Sequence, residues 1–185
     1  MDNGNGLKVF PARLDQVTPI VDLVNSAYRG KNAGWTTEHG MIEGDRTDHS
    51  SLIQLLSAPD YGSHQVVLVS SLLEGAIVGT VHLQRSDRDA GVVFLGMFSV
   101  RPDVQNQRLG FRMLEAAYDW MRENWGSDIK RVEIGVIRQR AELIAWYERR
   151  GYQRTGDTEK FPYDNPSVGK PLRDDLELII LRRSI

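Results

Sequence analysis

No cysteine occurs among the 185 residues. Disulfides, thiolate metal sites and cysteine nucleophiles are excluded together. No apolar run approaches the roughly 18 residues that a membrane span needs. An excess of one charge sign is missing as well. Lys and Arg number 23 against 25 Asp and Glu, for a formal net charge of −2. That leaves no electrostatic case for nucleic acid or for an anionic membrane surface. The opening MDNGNGLKVF lacks the charged-then-apolar layout of a secretory leader, so the expected address is the cytoplasm or another reducing compartment. His39 and His49 have no metal-ligand spacing with any acidic residue or histidine; they read as solvated side chains, and no metal is expected. Internal repeats, low-complexity tracts and linkers are lacking too. What remains is ordinary globular composition, 41% hydrophobic and 26% charged, in a length that suits one domain with a full core. Residues 1–6 read as a disordered lead and 7–185 as a single domain.

The strongest local pattern runs from Val93 to Met121. Val92 to Val100 is apolar at nearly every position, as expected of a central strand covered on both faces. Arg101, Pro102 and Asp103 break it. Leu109, Met113, Leu114, Ala117, Tyr118 and Met121 then recur at three- and four-residue spacing, one apolar stripe of a helix. The turn between, Gln105 to Gly110, would present successive backbone N–H groups at the helix mouth. Unpaired amides and the helix dipole make such a mouth an anion site. Arg108 and Arg112 add positive charge beside it.

Other elements follow from the same rules. Leu7 to Ala12 reads as a first strand with Pro11 near its end. Asp15 is the expected N-cap of a helix whose buried face carries Val17, Ile20, Val21, Leu23, Val24 and Ala27. A polar loop, Trp35 to Thr47, is longer than a simple connection needs. Ser50 or Ser51 should start a short helix around Leu52 to Leu56. Gln65–Leu73 and Ala76–Arg85 read as a strand pair turning at Glu74-Gly75, leading into the central strand as an antiparallel meander. Lys130–Ile137 is a strand and Arg140–Arg149 a helix, closed by Gly151 as a left-handed cap. Tyr152 onward and Leu176–Leu181 are the last two strands, separated by the Pro162–Lys170 loop.

The segment Gln105 to Gly110 resembles the acyl-coenzyme-A binding segment of the GCN5-related N-acetyltransferase (GNAT) superfamily. Its form is Gln/Arg-x-x-Gly-x-Gly/Ala after a strand and a Pro-containing turn. Gln105 and Gly110 match; Arg108 replaces the middle glycine. A second stretch, Arg140 to Tyr152, resembles the family's downstream Asn-x-x-Ala-x-x-Leu-Tyr-x-x-x-Gly-Phe/Tyr. Tyr147, Gly151 and Tyr152 match, Trp146 stands for Leu, Arg140 for Asn and Leu143 for Ala. The Trp35 loop is similar to a GWTxE…G.RT segment of some members.

The resemblance implies an α/β fold with a central mixed, mostly antiparallel sheet of six to seven strands flanked by about four helices. A bulge in the central strand would splay it from the next, leaving main-chain groups for the pantetheine arm of acetyl-CoA. It assigns cofactor binding to Met97, Phe98, Ser99, Val100, Gln105, Arg108, Leu109, Gly110, Phe111 and Arg112. The implied reaction is transfer of an acetyl group from acetyl-CoA directly to a primary amine of a small molecule or peptide, with Tyr147 as general acid. For the general base, Gly135 sits where a family Glu often sits; Glu133 lies two residues away on the same strand face. Glu38 and Glu43 of the acceptor loop are rivals, and ordered water is another route. Trp35, Glu38 and Glu43 are expected to bind substrate. The alternative is a catalytically silent acyl-CoA binding or sensing module on the same fold. An exposed final strand would offer pairing across a homodimer.

Overall fold

Beyond Phe94 the central strand leaves its parallel neighbour, and the rest of the architecture is arranged about that gap. The computed structural model describes residues 7–31, 37–72, 75–105 and 108–185. Strands β1 (Lys8–Pro11), β3 (Gln65–Ser71), β4 (Ile77–Arg85) and β5 (Val92–Val100) form one half of a seven-stranded sheet. Strands β6 (Arg131–Ile137), β7 (Gln153–Lys160) and β9 (Glu177–Ser184) form the other. The order is β1-β3-β4-β5-β6-β9-β7, and every pairing is antiparallel except β5 with β6. A separate ribbon pairs β2 (Ile42–Glu43) with β8 (Lys170–Pro171). Among the described residues no helix is long and apolar enough to cross a membrane.

Among the described residues four α-helices cover the sheet: α1 (Val17–Arg29), α2 (His49–Leu56), α3 (Leu109–Trp125) and α4 (Ala141–Glu148). The two faces follow from the strand period of two. Val66, Leu68, Val81, Leu83, Val93 and Leu95 pack with Met113, Leu114, Ala117 and Tyr118 of α3 and with Ile144 and Tyr147 of α4. Val67 and Val69 point the other way, onto Val17, Ile20, Val21 and Val24 of α1 and Leu52 and Leu56 of α2.

Strict alternation would put Met97 on the face of Leu95. Instead Met97 packs with the α1 cluster while Phe98 turns to the α3 side. The cause is a bulge: the β4–β5 register shifts between Thr80 and His82, and Met97 is left-handed at φ +46. One extra residue inverts the parity of everything after it. A non-glycine residue in that conformation is held by its surroundings. Here the Thr80 and Ser99 hydroxyls both donate to the Met97 carbonyl, at 3.0 and 3.2 Å.

Three local expectations are corrected. Asp15 does not cap α1: a 3-10 turn (Leu14–Gln16) precedes the helix, Gln16 is its N-cap, and Asp15 accepts two bonds from Arg13 instead. Helix α2 starts one to two residues early because Asp48 is the cap, its carboxylate accepting from the Ser51 N–H at 2.7 Å. The final strand is not an exposed edge. β9 is paired on both sides, with β6 and with β7, so the free edges of the sheet are β1 and β7.

Candidate active site

Strands β5 and β6 pair only over Val92–Phe94 and Arg131–Glu133. Past that point they diverge, and a cavity of about 400 Å³ opens between them. Leu95, Gly96, Met97, Phe98 and Val100 form one wall; Ile134, Gly135, Val136 and Ile137 form the other. A diverged pair leaves main-chain groups facing the gap without a ladder partner, which suits a ligand that pairs like a strand.

The helix mouth lies at one end. Gln105, Arg108, Leu109, Gly110 and Phe111 line the cavity there. Gln105 donates its side-chain amide to the Val100 carbonyl at 3.2 Å, tying the turn to the strand end. Arg108 is the N-cap of α3 and is left-handed, φ +59. The arginine that replaces the family's glycine therefore keeps a conformation glycine adopts without strain. Its side chain is exposed, beside the cavity. At Gly110 a Cβ would stand 3.4 Å from the Trp146 ring, so a hydrogen there lets α3 approach α4 closely. Arg150 lies over the Trp146 ring, 3.4 Å from its centroid, and donates to the Trp146 carbonyl at 2.8 Å. Arg112 and Ser99 are not in the wall: Ser99 is buried behind it on the Met97 carbonyl.

Tyr147 stands where the two ends meet. It is buried in the wall, edge-on to Trp146 and Tyr152 at 5.0 and 5.2 Å. Among the described residues its hydroxyl makes no hydrogen bond. Burial first, and the Tyr28 phenol after it, holds its phenol well above the ordinary value of 10.0.

The other end is built by α1, the β2 loop and the start of α4. Arg29 and Arg140 both grip the buried Glu38 carboxylate, Arg140 at 3.0 Å. Arg29 also donates to the carbonyls of Gly44 (3.0 Å) and Val168 (2.9 Å), so one side chain ties two separate loops to the helix. Arg46 lies over the Tyr28 ring at 5.4 Å. His82, on the α1 face of β4 opposite Gly96, has a buried Nε2 with no hydrogen-bond partner among the described residues. Burial, then the charge of Arg46, pushes its pKa down to about 4.

The structure thus gathers Met97, Phe98, Val100, Gln105, Arg108, Leu109, Gly110, Phe111, Tyr147 and Glu38 about one cavity. Glu133 is not in its wall; it pairs with Arg182 at 2.8 Å and Arg131 at 3.6 Å. Glu43 is exposed on the ribbon, 3.7 Å from Lys170. Trp35 lies outside the described residues. Sequence reasoning passed over Tyr28, Arg29, Arg46 and His82. Asn25, Tyr28 and Arg29 share one helix face at spacings of three and four, a hint that was there to be read.

A family model described as the acetyltransferase (GNAT) family matches residues 35–152. The chain belongs to the GNAT acetyltransferases. Solved structures agree on the fold. The GNAT chain aligns with PaiA N-acetyltransferase from Thermoplasma acidophilum, in complex with coenzyme A, at TM-score 0.67 and 12% identity, over 97% of this chain and 99% of that one. It aligns with yncA of Salmonella typhimurium, with its cofactor acetyl-CoA, at TM-score 0.66 and 20% identity, over 96% and 93%. An acetyltransferase of GNAT family from Staphylococcus aureus Mu50 gives 0.65 and 16%, over 96% and 98%. No curated protein matches the chain. The GNAT fold accounts for the splayed strands and the helix mouth; at such identities the end of the cavity built by α1 and the start of α4 is this chain's own matter.

Proposed function

We propose that this GNAT chain transfers an acetyl group from acetyl-CoA directly to a primary amine. The observation that supports it most is the pairing break past Phe94 and Glu133, opening at the Met97 bulge onto Tyr147. Bound there, acetyl-CoA would supply the acetyl thioester. The main-chain groups of Met97 to Val100 would hold the pantetheine arm, and the α3 mouth with Gln105, Arg108 and Gly110 would take the diphosphate. N–H groups near Met97 and Phe98 would stabilise negative charge on the acyl oxygen. The incoming nitrogen forms the new C–N bond and sheds a proton; the C–S bond breaks, and the sulfur takes up a proton. Tyr147, kept as a neutral phenol by burial, donates toward that sulfur.

The nitrogen's proton needs an exit, since an amine near pKa 10 is mostly protonated at neutral pH. Glu38, Glu43 and Glu133 all spend their carboxylates on arginine or lysine. We therefore assign the proton to water rather than to Glu133. The same ion pairs favour the second reading, a silent acyl-CoA binding module. One experiment separates them. Calorimetry should register acetyl-CoA binding, and amines should release free thiol from it. Binding without thiol release leaves the silent module; no binding at submillimolar acetyl-CoA ends both readings.

A further inference from the structure

We propose that the accepted amine also carries a carboxylate, and that Arg46 is the group that recognises it; this rests on the acetyl-transfer reading above. Three arginines, Arg29, Arg46 and Arg140, line the acceptor end against one carboxylate, Glu38. Glu38 is already shared between Arg29 and Arg140. Arg46 makes no ion pair with any described residue, and residues 32–36, NAGWT, contribute no acidic side chain. A half-buried cluster with surplus positive charge is costly unless an anion completes it.

Arg46 is also a held residue, unlike a drifting surface arginine. Asn25 of α1 accepts from the N–H groups of Arg46 (2.7 Å) and Thr47 (3.1 Å) and donates to the Thr47 carbonyl (2.9 Å). One turn along α1, Tyr28 presents its ring beneath the guanidinium. Backbone and side chain are both set before any ligand arrives, which lowers the ordering cost of binding. A planar guanidinium on an aromatic platform matches a carboxylate with two parallel hydrogen bonds. The surplus charge also acts negatively: it repels acceptors that bring a second ammonium, so polyamines are disfavoured.

Arg46, Tyr28, Arg140 and Tyr147 line the same cavity. Tyr28 and Arg140 both act on the Tyr147 phenol electrostatically, and Arg46 acts on His82 beside the Met97 bulge. A compact molecule with amine and carboxylate on one or a few carbons is the acceptor that this shared cavity implies. Free amino acids are the probe that has this chemistry.

The test compares each of several L-amino acids with its own α-carboxamide, and with spermidine, by free-thiol release from acetyl-CoA. The expected result is kcat/KM at least tenfold higher for acids than for amides, residing in KM. Arg46→Ala should bring that ratio near one, and Arg46→Lys should restore part of it. Acetyl-CoA affinity, measured by calorimetry on the same preparations, checks that each variant is folded. Equal or better turnover of amides or spermidine, an acid preference that survives Arg46→Ala, or no turnover of any acid overturns the carboxylate assignment. Absence of acetyl-CoA binding by the unmutated chain instead overturns the acetyl-transfer reading itself.

Discussion

Tyr147 and His82 are titratable groups whose burial fixes their protonation. The Tyr147 phenol, raised by burial, stays protonated throughout the neutral range, so its service is donation. Tyr147→Phe removes the donor and keeps the ring contacts with Trp146 and Tyr152. We expect kcat to fall about 100-fold, within the range for general acid catalysis, with acetyl-CoA affinity spared; unchanged kcat in steady-state kinetics takes Tyr147 out of that role. His82 gives a stability signature. Its folded pKa of about 4 lies below the ordinary 6.5, so as pH falls the unfolded chain takes up the proton first. Stability from this group is whole above about pH 6.5 and drains away toward pH 4. Between pH 7.5 and 5 the loss should be about 2 kcal/mol. Urea unfolding at the two pH values checks it, with His82→Gln expected to show a smaller difference. At this scale the sequence was least legible. Tyr147 was placed by a motif, while His82 gave no cue, because its importance depends on strand parity across a bulge and on Arg46, far away in the chain.

Elements carried more of their own meaning. Strand β5 and the start of α3 were readable because a buried strand and an amphipathic helix leave different periods. Helix starts were less so: both Asp15 and Asp48 are acidic residues before apolar runs, and only Asp48 caps. The crossing of α3 over β4 was invisible, since a glycine in a strand announces only that something is close. At Gly79 a Cβ would meet Met113 Sδ at 2.6 Å, Ser70 Oγ at 2.7 Å and the Ser99 carbonyl at 3.1 Å. The last is backbone and cannot step aside. Gly79→Ala should therefore push α3 outward, costing about 1–3 kcal/mol in urea unfolding. Because Met113 lies one turn past the helix mouth, the same variant should bind acetyl-CoA several-fold more weakly by calorimetry.

For the molecule as a whole, the sheet of seven strands and four helices agrees with the expected class, and the order of its strands was the hidden part. Hydropathy told that Leu176–Leu181 is a strand but not that it is interior, because an apolar run reads alike wherever it is inserted. Leu181 is fully buried, opposite Ile134 on one side and Arg154 on the other. Leu181→Ala should cost about 2–5 kcal/mol by urea unfolding, far more than an edge position would. Strands brought together from distant parts of a chain also assemble slowly.

The insertion of β9 between β6 and β7 has a consequence for biosynthesis. During translation, β6, α4 and β7 emerge before the strand that joins them, so the wall carrying Gly135 cannot settle while the tail is still inside the ribosomal exit tunnel. A stalled nascent chain ending before Glu177 should hold α1 to α3 against a half-sheet and capture no coenzyme A; the same chain, extended enough for Ser184 to clear the tunnel, should capture it.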